Sequence, residues 1–140
     1  MAIEGNTLVH EIRIQASPAT VFAYFTDEAR HVRWLGRQAT LDPRPGGLYR
    51  CVVNDMATLL GEYVVVDPPH RVVFTWGFAG NQAIPPGTST VAVTLTPTGS
   101  GTLLTLVHTG LPHPALDAHH TGWQGYLHQL ARELTAAPAD

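Results

Sequence analysis

Apolar residues in the last long stretch of the chain, Pro114 to Ala136, recur with the period of a helix. Trp123, Leu127, Leu130 and Leu134 fall at i, i+4, i+7 and i+11, and Tyr126 widens that stripe. Gln124, His128 and Arg132 take the polar side. Pro114 suits a first helical turn, where a missing N–H costs nothing, and Pro138 ends the run. Gly122 and Gly125 each cost roughly 1 kcal/mol against Ala inside a helix. They make sense if another backbone or a bound molecule comes close. A helix this amphipathic must lie on an apolar surface, and most of the chain before it alternates with the period of strands.

Residues 7–16 place Leu8, His10, Ile12, Ile14 and Ala16 on one face, so His10 joins an inward row. Ser17 and Pro18 open a short helix as N-cap and first residue, with Val21, Phe22 and Phe25 on its apolar side. A second short helical piece is expected from Asp27 to Leu35. The turn cluster 42–47 then leads into a strand, Leu48–Asn54, with Tyr49, Cys51 and Val53 inward and Arg50 outward. Ala57–Asp67 reads as a strand whose valine run leaves its faces unassigned. Val72, Phe74 and Trp76 alternate along the next strand, and residues 77–87 form an exposed loop.

The last hairpin is the most legible. A two-residue turn at Gly99-Ser100 sets Leu95 opposite Leu104, Val93 opposite Leu106 and Val91 opposite His108. That register aims His108 inward. The whole reads as one strand, two short helices, about six more antiparallel strands and a long helix laid across the curved sheet. No βαβ alternation suggests a parallel nucleotide-binding sheet.

At 140 residues the chain is expected to form a single domain spanning 1–140, with 136–140 a frayed tail. Its one cysteine cannot pair internally. No apolar run approaches the ~20 residues of a membrane span, and the N-terminus lacks the pattern of a leader. A cytoplasmic, soluble protein is therefore expected. A net charge of −3 without a basic stripe argues against nucleic acid as partner. The chain contains no lysine, which excludes Schiff-base catalysis by a lysine amine.

A series of segments carries a resemblance: 17–22 (SPATVF), Arg33-Trp34, 44–47 (RPGG), 66–76 (VDPPHRVVFTW), 101–110 (GTLLTLVHTG) and Gly122-Trp123 with the leucines that follow. Together they resemble the SRPBCC (START-related, helix-grip) superfamily, in the branch similar to the C-terminal domain of the heat-shock ATPase activator. The resemblance implies an α+β helix-grip fold. In it, a sheet of six or seven strands wraps the C-terminal helix, and a cavity between them takes an apolar small molecule. Members range over lipid carriers, polyketide cyclases and dehydratases, hormone receptors and self-resistance proteins, so the fold does not carry one function.

His108 is the sharpest candidate. It either ties the last strand to the helix or to the Gly110 turn, or it faces a ligand or acts as an acid–base, with His10 as a possible neighbour. Tyr49, Trp76, Trp123 and Tyr126 are either core or the aromatic wall of a pocket, floored by Leu127 and Leu130. No metal spacing appears among the eight histidines; His119 and His120 are adjacent, point to different helix faces and read as solvated. No phosphate-binding or hydrolase motif is present, and no cofactor is expected. The leading reading is a monomer or homodimer that binds a small hydrophobic, aromatic or polycyclic molecule. The alternatives are a cyclase or dehydratase using His108, and a chaperone cofactor.

Overall fold

The computed structural model describes residues 2–136. Strands β1 (Ala2–Glu4) and β2 (Thr7–Ile14) are followed by helices α1 (Pro18–Thr26) and α2 (Glu28–His31). Six more strands follow: β3 (Gln38–Leu41), β4 (Leu48–Asn54), β5 (Ala57–Asp67), β6 (Arg71–Trp76), β7 (Ser89–Thr98) and β8 (Gly101–Thr109). A 3-10 turn, His113–Ala115, precedes the long helix α3 (Leu116–Ala136). All eight strands form one antiparallel sheet in the order β1-β2-β8-β7-β6-β5-β4-β3. The architecture is the α+β helix-grip fold that the segment series implies.

Local chemistry explains the elements. Ser17 accepts the Thr20 N–H at the start of α1 with Pro18 behind it, and Asp27 caps α2 through the Arg30 N–H. The final hairpin has the register read from its alternation, Leu95 opposite Leu104, Val93 opposite Leu106 and Val91 opposite His108. β2 pairs with β8, so the first and last long strands are neighbours. The sheet bends where pairing slips, between Val52 and Asn54 and between Tyr63 and Val65. The second slip is why the valine run shows no consistent inward face.

Four boundaries differ from the sequence reading. β1 was not anticipated, because three residues are too few to show a period; it pairs with β2 through Ile3 opposite Leu8. The second helix is confined to residues 28–31, and a tight turn carries the chain on to Leu35. β2 ends at Ile14, two residues early. Pro114 lies in the 3-10 turn, and the regular helix begins at Leu116. Of the expected frayed tail, Ala136 is helical and residues 137–140 lie outside the described residues.

The core sits between α3 and the concave face. Trp123, Leu127, Leu130 and Leu134 are buried against inward residues of the sheet such as Leu8, Val91, Leu104 and Leu106. A second cluster, Tyr24, Phe25, Trp34, Tyr49, Tyr63 and Phe74, packs α1 and the turn after α2 onto β4, β5 and β6. Tyr63 Oη donates to the Phe25 carbonyl at 2.8 Å, fastening α1 to β5.

Candidate functional site

The interior is not filled throughout. A cavity of about 240 Å³ lies between α3 and the sheet, lined from the sheet side by Leu35, Val53, Leu59, Trp76 and Phe78. The helix supplies Ala118, His119, Gly122, Trp123 and Tyr126. The bulge at Val52/Asn54 and the Leu59–Phe78 bridge shape its far wall. Gly122 explains itself here: a Cβ at that position would meet nothing within 4 Å, so the residue borders empty space and no backbone packs on it. Gly125 is equally uncrowded, but it is exposed. A shallower apolar groove of about 320 Å³ runs between the 83–84 loop and residues 112–119, and shares Ala118 and His119 with the cavity.

Five polar side chains stitch the helix to the sheet beside this space. Trp123 Nε1 donates to His108 Nδ1 at 3.0 Å, and His108 Nε2 lies 2.8 Å from Ser89 Oγ. An indole N–H can only donate, so Nδ1 is the bare nitrogen and Nε2 carries the proton that Ser89 accepts. Ser89 in turn donates to the Trp76 carbonyl at 3.2 Å. Trp76 Nε1 donates to His119 Nε2 at 3.1 Å, and His119 Nδ1 then donates to the Ala115 carbonyl. Both imidazoles are held neutral with both nitrogens occupied. Burial above all, then His119 and His10 nearby, pushes His108 down to about 3, and burial also lowers His119.

The other anticipated residues divide. Trp76, Trp123 and Tyr126 line the cavity; Leu127 and Leu130 are fully buried in the core beneath α3. Tyr49 is buried away from it, its hydroxyl 2.8 Å from His31 Nε2 and its ring stacked on Phe74. His10 does lie near His108, two residues along β2 from its partner Leu8, but its ring packs on His120 at 4.8 Å. Neither ring nitrogen of His10 has a hydrogen-bond partner among the described residues, and burial first, then His120, lowers it to about 4. His108 offers no free nitrogen to a substrate and does not line the cavity. Among the described residues no three His, Cys, Asp or Glu side chains are grouped to hold a metal ion.

With that geometry in view, the family model for Activator of Hsp90 ATPase homolog 1-like protein matches residues 15–135. The chain belongs to this family. Solved structures agree with that placement. An AHSA1-like protein from Rhizobium etli is 38% identical, with a TM-score of 0.74 over 93% of this chain and 82% of that one. Protein MLL2253 from Mesorhizobium loti superposes at a TM-score of 0.84 with 26% identity, over 94% and 98% of the two chains. DynU16, from the dynemicin biosynthetic locus, matches at 0.82 and 25% identity; the alignment covers 95% of this chain but only 48% of DynU16. No curated protein matches. Among the described residues of this family member, no helix is long and apolar enough to cross a membrane.

Two expectations about histidines need correction. His119 and His120 are not solvated: both are half-buried, His119 bonded to Trp76 and His120 packed on His10. A signal for His119 was present, since it stands four residues before Trp123 and so continues the buried stripe upstream, as Leu116 does at seven. Leu35, Leu59 and Phe78 were also missed as lining residues. Nothing in their local sequence marks them, because the gap they border exists only between elements.

Proposed function

We propose that this protein binds a small hydrophobic molecule in the cavity under α3. The observation that carries this reading is the apolar void bordered by Gly122, with Trp76 and Trp123 as its aromatic walls. At about 240 Å³ it falls a little below the roughly 300–1,000 Å³ of sites that enclose drug-sized ligands. The ligand is therefore small, or it extends into the neighbouring groove. The indoles of Trp76 and Trp123 in the cavity wall favour a flat, aromatic compound as its class, and likeness to a protein in the dynemicin biosynthetic locus supports a small-molecule role.

The test is direct, because the two indoles report on the site. Titration with flat apolar compounds should change tryptophan emission saturably, and Gly122→Leu, which fills the void, should abolish the change. A panel of such compounds that leaves emission unaltered would end the reading. A cyclase or dehydratase acting through His108 has weaker support, since His108 would first have to release Ser89 or Trp123. Family membership also raises stimulation of a chaperone ATPase; an unchanged Hsp90 ATPase rate in the presence of this protein would dispose of it.

A further inference from the structure

Every polar side chain in the cavity wall but one is consumed within the protein. Trp76 Nε1 and His119 Nε2 satisfy each other, Trp123 Nε1 is given to His108, and His119 Nδ1 to Ala115. Among the described residues the wall contains no Asp, Glu or Arg. The exception is Tyr126, whose hydroxyl has no partner among the described residues. Burial, then the Cys51 thiol, raises its pKa, so the hydroxyl stays protonated. Tyr126 is eight residues after Ala118, about 12 Å along α3, so the cavity has a polar end at Tyr126 and an apolar end at the groove.

Resting on the cavity reading above, we infer that the ligand is an uncharged, flat molecule with one hydrogen-bonding group, anchored by Tyr126, while its apolar body lies along Trp76 and Trp123 toward His119. A few placed polar groups orient ligands in otherwise apolar sites. Here there is one, and it can donate or accept, so it selects a hydroxyl or carbonyl. A carboxylate or ammonium would be stripped of water with no opposite charge to meet it.

Equilibrium dialysis with 2-naphthol, naphthalene and 2-naphthoate tests this, because the three share a ring system and differ in one substituent. Wild-type protein should hold 2-naphthol about three- to ten-fold more tightly than naphthalene, the range of one net hydrogen bond, and naphthoate least. Tyr126→Phe should erase the preference for 2-naphthol and leave naphthalene unchanged, which also shows that the variant is folded. Equal affinity for 2-naphthol and naphthalene in the wild type, or a preference that survives in the variant, overturns the anchor while the cavity reading stands. Naphthoate binding as tightly as 2-naphthol overturns the requirement for an uncharged ligand. Retention of none of the three removes the cavity reading along with the anchor.

Discussion

Trp123 on the long helix donates its indole N–H to Nδ1 of His108 on the last strand, 3.0 Å away and out of contact with water. That bond fixes the tautomer of the imidazole, and Ser89 accepts the proton left on Nε2. Trp123→Phe should therefore destabilise the protein by about 1–3 kcal/mol for the orphaned nitrogen, and Ser89→Ala by a similar amount. Because both act on one ring, the double variant should cost measurably less or more than the two singles added together. Urea unfolding of the four proteins measures the coupling; strict additivity would mean that the chain of bonds does not act as a unit.

Acid should loosen this fold well above the pH at which carboxylates titrate. His10 and His31 are lowered to about 4, and His108 to about 3, from an ordinary value of 6.5. Below pH 6.5 the unfolded chain takes up protons that the folded one refuses. Stability is thus unaffected above 6.5 and falls as pH drops toward 4, by up to about 1.4 kcal/mol per pH unit for each ring. Urea midpoints at pH 7.5, 6 and 5 should decline in step. A flat profile would show that these rings are not buried as neutral imidazoles in solution.

The two helix glycines should separate stability from binding. Neither site would crowd a Cβ, so Gly122→Ala and Gly125→Ala should each stabilise the protein by roughly 0.5–1 kcal/mol through helix propensity and the unfolded chain. Only Gly122 borders the cavity. Its alanine variant should melt higher yet bind hydrophobic compounds more weakly, while the Gly125 variant binds as the wild type does. Thermal melts with a binding titration of each protein decide the matter.

Tyr63→Phe probes the other end of the molecule. It removes the side-chain donor to the Phe25 carbonyl at the end of α1, in a fully buried setting. A loss of about 1–3 kcal/mol is expected, with no change in ligand affinity because Tyr63 does not line the cavity.

Short-range pattern determined a good deal of this protein. The two-residue turn and strict alternation of the last hairpin set its register and turned His108 inward, and the stripe through Trp123 and Leu134 set which face of α3 is buried. These follow from backbone periods of two and 3.6, which any strand or helix obeys wherever it sits. Distance between elements decided the rest. Whether His108 would meet a ligand or Trp123, whether His119 would face water or Trp76, and whether Gly122 would touch backbone or empty space all depend on how far α3 stands off the sheet. That spacing is set by side chains remote in sequence, such as Leu59, Phe78 and Trp76 against Trp123 and Tyr126, whose bulk leaves a gap on one side of the seam and fills it on the other.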